Sequence, residues 1–173
     1  MSDIAAMVDD NVTTGKESLA GKYLTFELGQ EVYGIEILKV QEIIGIMSIT
    51  HVPKTPDYVR GVINLRGKVI PVVELRRKFR MKTVEDTERT CIIVVQVRGT
   101  DGSIIMGILV DEVSEVVNIP ADMIESAPTF GTNVNTAFIL AMGKVGDRVV
   151  ILLDADKVLT IEEMVTLERS SGD

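Results

Sequence analysis

One sequence pattern occurs twice in this chain, and the duplication limits the possible folds more than any other feature. The pattern G-I-x-[I/V]-x-x-V-x-E-[I/V] occupies residues 34–43 and returns 73 residues later at 107–116. Downstream, residues 63–68 are echoed by 139–144, and residues 72–74 by 152–154. A stacked-repeat protein needs about three or more units to bury a continuous core. The duplication therefore predicts two similar subdomains that share one interface.

Apolar residues alternate with polar ones along much of the chain, a period of two that is typical of β-strands. Residues 23–28 and 32–37 flank Gly29 and Gln30, which predicts a hairpin. Residues 91–97 and 104–110 repeat it around a turn at 99–102, and the final strand is predicted over 148–153. Pro71 lacks a backbone donor, so it places its strand at a sheet edge or a bulge. The predicted body is all-β.

The helical segments predicted from the sequence are short. Residues 55–61 begin with Thr55 as a cap, continue with Pro56 and stop at Gly61, which predicts one or two helical turns. Residues 160–163 form a capping box that opens a C-terminal helix over 161–168. Residues 1–18 have no period and few large apolar groups, so we expect a disordered acidic arm.

Composition narrows the class of protein. With 173 residues and 46% hydrophobic content, the chain can bury one core. Its apolar runs fall short of the ~20 residues that a membrane helix needs, and its acidic N-terminus is unlike a signal peptide. Cys91, the single cysteine, lies in an apolar run and is expected to be a buried small hydrophobe. No disulfide can form within the chain, which favours a reducing cytoplasm.

The net charge of −8 is concentrated at the two ends of the chain. Residues 1–18 and 161–173 each carry −3, which leaves −2 on residues 19–160. This distribution argues against a general nucleic-acid-binding protein, which would present a basic face. One local exception is a basic stretch in which Glu74 alone opposes Arg66, Lys68, Arg76, Arg77, Lys78, Arg80 and Lys82. Only Phe79 interleaves there as an aromatic residue, so we interpret the stretch as a solvated surface.

The sequence offers little for catalysis. His51 is the only histidine, so no His–His metal pair is available, and we expect a structural role for it. Neither a G-x-G-x-x-G motif nor a Walker-type phosphate loop occurs. The repeated Glu42 and Glu115 suggest an acid pair, but we interpret them as structural or interface carboxylates. We therefore predict no enzymatic activity, no metal and no cofactor.

The segment Asn64-Leu65-Arg66-Gly67 supports two interpretations. Arg66 fits an anchor for a partner protein, because the neighbouring glycine lets another backbone approach. The same residues also fit an ordinary β-turn with a solvated arginine. The residues alone do not decide between the two, although a chain without catalytic groups favours a function in protein interaction.

Four segments closely resemble the CheW family of bacterial chemotaxis coupling proteins: residues 33–43, 60–75, 107–116 and 146–154. The resemblance extends over about residues 19–167. It implies two pseudo-symmetric five-stranded barrels of SH3/OB-like type, packed together and followed by the C-terminal helix. The barrels would comprise roughly residues 19–85 and 86–160. These boundaries are approximate, because strands can be exchanged between the halves.

The resemblance also implies a function. The family has no enzymatic activity and couples transmembrane chemoreceptors to the histidine kinase CheA, whose regulatory domain has the same fold. The receptor tip would contact Ile37, Val40, Glu42, Asn64, Leu65 and Arg66, and the kinase would dock near Gly45, Gly67 and Gly107. The expected protein is cytoplasmic and recruited to membrane-associated receptor arrays. It is expected to be monomeric in isolation, without a nucleic-acid partner and without insertion into the membrane.

Three alternatives remain open from the sequence. The same scaffold can serve a non-flagellar chemosensory pathway that controls pili or development. A nucleic-acid-binding barrel would need the basic stretch to form a groove, and its binding would depend steeply on salt. A small hydrolase would need a nucleophile and a base that the sequence does not offer.

Overall fold

The alternating apolar segments form strands that pair into two sheets. The computed structural model describes residues 16–99, 102–127 and 137–158. The strands there are β1 (Gly21–Leu28), β2 (Glu31–Glu36), β3 (Val40–Gly45), β4 (Val59–Leu65), β5 (Lys68–Glu74), β6 (Cys91–Gly99), β7 (Gly102–Val110), β8 (Glu112–Ile119), β9 (Ile124–Glu125), β10 (Ile139–Val145) and β11 (Arg148–Leu153). They are accompanied by the short helices α1 (Lys16–Leu19), α2 (Leu75–Lys78) and α3 (Ala155–Val158), and by 3-10 turns at Ile37–Lys39 and Ala121–Met123.

The two sheets differ by one strand. The six-stranded sheet has the order β8-β1-β2-β11-β10-β9, and the five-stranded sheet has the order β3-β6-β7-β5-β4. Neighbouring strands are antiparallel except for β2 with β11 and β5 with β7. The predicted all-β class with short helices and two similar units is confirmed. Both strand orders are open and one contains six strands, whereas two five-stranded barrels were predicted. In the five-stranded sheet Thr50 partly joins the ends, since it exchanges two 2.8 Å backbone hydrogen bonds with Val62 of β4.

Each sheet takes strands from both halves of the sequence. β3 follows β2 along the chain but pairs with β6, and β8 follows β7 but pairs with β1. In the same way the β4–β5 hairpin joins β7, and the β10–β11 hairpin joins β2. A division at residues 85 and 86 therefore separates the two sequence repeats but not the two sheets.

The β4–β5 and β10–β11 hairpins correct the sequence alignment of the two halves. Leu65 pairs with Lys68 at the first turn, and Val145 pairs with Arg148 at the second. The counterpart of residues 63–68 is therefore 143–148. The predicted echo at 139–144 is wrong by four residues, because it matched one Gly-Lys pair to another, whereas the glycine in the second turn is Gly146. The match between 72–74 and 152–154 agrees with the observed pairing.

A shared apolar core lies between the two sheets. Its fully buried residues include Phe26 of the six-stranded sheet and Ile93 of the five-stranded sheet, and burial of each such side chain contributes about 1.5–3 kcal/mol. Each sheet also has a smaller cluster on its other face. In β6, Ile93 and Val95 belong to the shared core, whereas Ile92 and Val94 belong to the smaller cluster. Burial on both faces explains why this strand reads as an apolar run.

Stacked aromatic rings cross the shared core. The ring centroids of Phe26 and Tyr33 are 5.9 Å apart, those of Tyr33 and Phe79 are 5.7 Å apart, and those of Phe79 and Phe138 are 5.0 Å apart. These spacings fall within the range of favourable aromatic pairs. Phe79 packs against the core, so this side chain of the basic stretch is engaged within the fold and is not presented as a platform for nucleic-acid bases.

An ion-pair cluster that we call the α2 clamp fastens the crossover between β7 and β8. Arg76 of α2 donates from Nε to Oδ1 of Asp111 at 2.7 Å and from Nη2 to Oδ2 at 2.5 Å. The backbone N–H of Gly29, in the β1–β2 turn, donates to the same Oδ2 at 2.8 Å. Burial raises the pKa of the Asp111 carboxyl, but these hydrogen bonds outweigh burial, and its pKa lies below the usual value. The clamp joins segments that belong to both sheets.

A second cluster, the α3 clamp, fastens the crossover between β2 and β3 with the charges reversed. Here the helix supplies the carboxylate: Asp156 of α3 accepts from Lys39 Nζ at 2.9 Å and from the backbone N–H of Arg98 at 2.9 Å. Burial raises the pKa of Asp156, and the bonds from Lys39 and Arg98 lower it by more, so its pKa is also below the usual value.

Several local predictions need correction. Residues 55–58 form a bend and a turn instead of a helix, and residues 59–61 already belong to β4. For Pro71 the predicted sheet edge is wrong, because β5 is not at the end of the strand order. The predicted alternative, a bulge, is present next to it, since β4 shifts register between Val59 and Gly61, opposite Val73 and Val72. The pairing of β5 with β7 begins only at Val72, so the missing N–H donor removes no hydrogen bond to β7. Cys91 is only partly buried, and its Sγ lies 3.2 Å from the Arg89 carbonyl oxygen.

Two predicted terminal segments lie largely outside the described residues. The C-terminal helix over 161–168 lies wholly outside them. Of the predicted arm, residues 1–15 lie outside, and residues 16–18 belong to α1.

Candidate partner-binding surface

The turn between β4 and β5 presents Arg66 in an uncommon backbone conformation. Arg66 has φ = 51° and Gly67 has φ = 89°, so both central residues of this two-residue turn are left-handed. Hairpin turns of this kind favour Asn or Gly at the first position. The Gly67 N–H donates to Asn64 Oδ1 at 2.8 Å, which closes the turn without the Arg66 side chain. A strained residue whose side chain the turn does not need is a candidate for function.

The guanidinium of Arg66 is held by Glu42 of β3. Nη1 donates to Oε2 at 3.2 Å, and Nη2 donates to Oε1, so the pair is bidentate. The hydrogen bond from Arg66 lowers the pKa of the Glu42 carboxyl below its usual value. The Arg66 side chain remains 71% exposed and that of Glu42 29% exposed. The pair therefore sits at the surface with a fixed orientation, and an interface role for Glu42 stays a prediction.

The ion pair bridges the two ends of the five-stranded sheet. Glu42 lies in β3 at one end of the strand order, and Arg66 follows β4 at the other. Together with the hydrogen bonds between Thr50 and Val62, the pair draws these ends together. Sequence analysis selected both residues but did not identify them as partners, because they are 24 residues apart and belong to strands that are not neighbours in the sheet.

The remaining residues predicted to bind the receptor differ in exposure. Ile37 and Val40 are half-buried and pack against the shared core. Leu65 is half-buried against the smaller cluster of the five-stranded sheet, and Asn64 is exposed. Val40 has the same position in its repeat as Val113, which also packs half-buried against the shared core. Burial thus gives no reason to assign receptor contact to Val40 and not to Val113.

Exposed apolar side chains near β3 were missed by the sequence analysis. Leu38, in the 3-10 turn before β3, is 94% exposed. Ile43 of β3 and the following Ile46 and Met47 are also exposed. We call these four residues the β3 strip. The sequence does show that residues 43–47 are mostly apolar. The sequence analysis did not ask which of these residues would face solvent and which would be buried. Exposed apolar residues in one segment are typical of protein interaction sites.

The three glycines predicted at the kinase interface lie in different environments. Gly45 and Gly67 are exposed, and a Cβ added to either would meet no atom within 4 Å. Gly107 is buried in β7, where an added Cβ would come within 2.7 Å of Ile92 Cγ2. The structure therefore does not bring Gly107 to a surface with the other two. Its lack of a side chain serves packing inside the five-stranded sheet.

The described part of the chain contains few features suited to other chemistry. Across residues 16–99, 102–127 and 137–158, no group of three or more His, Cys, Asp or Glu side chains could hold a metal ion. No helix in these ranges is long and apolar enough to cross a membrane. The surface features described in these ranges are ion pairs and exposed apolar residues.

Comparison with known proteins agrees with this description. Residues 22–163 match the family model of the CheW-like domain. The chain is 41% identical to chemotaxis protein CheW of Klebsiella aerogenes over 153 residues, which is 88% of this chain and 90% of that protein. It is 37% identical to the Helicobacter pylori protein of the same name over 139 residues, which is 80% of this chain and 81% of that protein.

A solved structure supports the same relationship. The fold matches the scaffolding protein TtCheW from Thermoanaerobacter tengcongensis with a TM-score of 0.72 and 32% sequence identity. The match covers 84% of this chain and 96% of that structure. On the evidence of its duplicated pattern, its paired sheets and these relatives, the chain belongs to the CheW-like family of chemotaxis scaffold proteins.

Proposed function

We propose that this chain is a non-enzymatic adaptor that couples transmembrane chemoreceptors to the histidine kinase CheA. Its relatives are named chemotaxis proteins, and the related solved structure is described as a scaffolding protein. The observation that carries the proposal is the exposed Arg66, which occupies a strained turn and is oriented by Glu42. An arginine fixed in this way can recognise a carboxylate or a carbonyl oxygen of a partner.

The receptor is proposed to bind over the region of β3 and the β4–β5 turn. Asn64 and Arg66 supply exposed polar groups there, and Glu42 offers a partly exposed carboxylate. Ile37 and Val40, half-buried against the shared core, and Leu65, half-buried against the smaller cluster, would add apolar contact area. The tip of a helical receptor hairpin would contribute apolar side chains, with Arg66 setting the register. This arrangement combines apolar affinity with charged specificity, as protein interfaces commonly do.

The kinase is proposed to bind through its regulatory domain at the ends of the sheets. Gly45 and Gly67 support this assignment because both are exposed with open space beside them, so a partner backbone can approach closely. Gly107 would influence docking through the packing of β7 and not through direct contact. The adaptor is proposed to act in the cytoplasm, as a monomer when isolated, and to join receptor arrays at the membrane through its partners.

The test is receptor control of kinase activity in a reconstituted array. Arg66→Ala should reduce receptor control by about tenfold or more, because the charge-assisted contact is lost. Binding to the isolated kinase regulatory domain should persist. The matched control is Lys144→Ala, which removes the exposed Lys144–Glu125 pair from the β10–β11 hairpin. This control should retain coupling.

Two outcomes would overturn the assignment of Arg66. One is normal receptor control with Arg66→Ala. The other is an equal loss of receptor control in Arg66→Ala and Lys144→Ala, because the effect would then not be specific to Arg66. Thermal melting of both variants checks that each remains folded.

A further inference from the structure

A basic groove lies beside α2, away from the surfaces discussed so far. We call it the α2 groove; it has a volume of about 640 Å³ and is lined by Asp57, Tyr58, Arg77, Lys78, Arg80, Met81 and Thr83. It gathers part of the basic stretch noted in the sequence, and three cationic side chains face one carboxylate, Asp57, in its lining. This surface lies on a chain whose net charge is −8.

The charge of the groove is only partly neutralised by the fold. Arg77 Nε lies 3.3 Å from Glu74 Oε1, but Arg60 Nη1 contacts the same oxygen at 3.1 Å. Two guanidinium groups therefore share the buried Glu74 carboxylate, Arg60 also pairs with Asp86 (Nη2 to Oδ2, 2.6 Å), and the Arg77 side chain stays 44% exposed. The ammonium of Lys78 lies 4.4 Å from the centroid of the Tyr58 ring. This cation–π contact keeps the positive charge of Lys78 at the wall of the groove.

Arg80 occupies a backbone position where glycine is the usual residue. The Met81 N–H donates to the Arg76 carbonyl at 2.7 Å, and the Arg80 N–H donates to the Arg77 carbonyl at 3.0 Å. These are the two bonds of a Schellman motif, with Arg80 at the left-handed position that ends the helix, and its φ is 58°. The fold thus tolerates strain to keep an exposed arginine at the groove.

The corresponding helix of the other half, α3, does not carry the same pair of cations at the residues that the structure describes. The hairpin alignment makes Lys157 the counterpart of Arg77 and Val158 the counterpart of Lys78. Val158 is buried in the shared core, and Lys157 is exposed. At these two helix positions, cationic side chains are therefore a feature of the first half and not a by-product of the duplicated fold.

We propose that the α2 groove binds an acidic segment of a protein partner. Arginine and lysine side chains around a partly apolar lining suit carboxylates carried on a peptide, because Tyr58 and Met81 can contact its aliphatic parts. A nucleic acid is disfavoured, because Phe79 packs against the shared core and does not line the groove, and the Tyr58 ring already carries Lys78. Bases would find no free aromatic face in the lining.

The α2 groove is distinct from the proposed receptor surface. β5 starts beside the Arg66 turn and ends at Glu74, directly before α2. Its seven residues span about 20 Å at ~3.3 Å per residue. The groove proposal therefore stands independently of receptor and kinase coupling.

The test uses the full chain and a dye-labelled synthetic peptide of alternating glutamate and leucine, followed by fluorescence anisotropy. Arg80→Gly should weaken binding about threefold or more. Its melting temperature should stay level or rise, because glycine suits the left-handed position. Arg80→Lys should retain most of the binding. The matched control Lys157→Gln removes one exposed positive charge from the counterpart helix and should leave the affinity unchanged.

Comparison ligands decide the outcome. The proposal predicts that a peptide with glutamine in place of glutamate binds at least about tenfold more weakly. It also predicts that added salt lowers the affinity of the acidic peptide. It is overturned if the acidic peptide does not bind, if Lys157→Gln loses as much affinity as Arg80→Gly, or if a single-stranded RNA oligonucleotide binds more tightly than the peptide and loses affinity in the same variant.

Discussion

The β4–β5 and β10–β11 hairpins have the same pairing but different turns. Both close after a pair of residues with a left-handed first position, Arg66 in one and Gly146 in the other. Gly146 meets this requirement without strain, whereas Arg66 does not. The backbone of the duplicated unit is thus maintained in both halves, while strain is confined to the half that presents a charged side chain. This difference locates the candidate partner surface in the first half.

A segment crosses both hairpins at the same position, Thr50 on Val62 and Glu125 on Met142, but the residue beside the crossing differs. Thr50 bonds to Val62 of β4, beside Gly61. In the other half, β9 pairs with Met142 and Gly143 of β10, and the counterpart of Gly61 is Ala141. A Cβ at Gly61 would overlap the Thr50 carbonyl oxygen. Closure of the five-stranded sheet therefore requires a glycine where the six-stranded sheet holds a side chain.

The largest expected effect tests this second difference. Gly61→Ala should lower the free energy of unfolding by about 3 kcal/mol or more, because the methyl group overlaps a backbone carbonyl and Gly61 has φ = 147°. The reciprocal change, Ala141→Gly, should cost about 1 kcal/mol, mainly through backbone entropy. Urea denaturation measures both. Similar losses in the two variants would show that the halves close in the same way.

The two clamps provide the next comparison. Arg76→Ala should cost about 2 kcal/mol, because it removes two charged hydrogen bonds from the partly buried Asp111. Lys39→Ala should cost about 1 kcal/mol, since it removes one bond and Asp156 keeps the Arg98 N–H. Lys144→Ala, at an exposed pair, should cost less than about 0.5 kcal/mol. Chemical denaturation that ranks Lys39→Ala above Arg76→Ala would contradict the bidentate geometry.

The smallest expected effect is the pH dependence of the α2 clamp. Asp111 has a lower pKa in the fold than its usual value, which is about 3.9 in an unfolded chain. Its ionisation therefore stabilises the fold above about pH 4, and this contribution is lost as pH falls through the lower folded pKa. The stability difference between wild type and Arg76→Ala should shrink on acidification. A difference that stays constant from about pH 7 to about pH 3 would show that the pair acts through packing alone.

Local structure was predictable from the sequence where it depends on neighbouring residues. The alternation around Gly29 and around residues 99–102 reflects local backbone preferences, and both predicted hairpins form. The duplicated pattern also predicted two similar units. The prediction of a short helix at 55–61 was wrong. Thr55 donates to the Val52 carbonyl in a turn instead of capping a helix, and Gly61 allows the close approach of Thr50 instead of ending one.

Long-range relationships were not predictable in the same way. Alternation marks β3 and β8 as strands but carries no information on which strand each one joins, so their exchange between sheets appears only in the structure. The Glu42–Arg66 pair depends on that exchange. Gly107 was assigned to an interface because a glycine suits both close packing and a free surface, and only its neighbours Val72 and Ile92 decide between them.

The exchange of strands has a consequence for how the chain can be cut. Residues 84–89, which connect α2 to β6, are exposed throughout, so they offer a protease an accessible site. After cleavage there, each fragment would still supply strands to both sheets: β3, β4 and β5 would remain bound to β6 and β7, and β8 would remain bound to β1. The nicked protein would migrate as one particle under native conditions and separate only in denaturant. Neither fragment has the neighbours it needs to fold by itself, so the two sequence repeats form one cooperative unit.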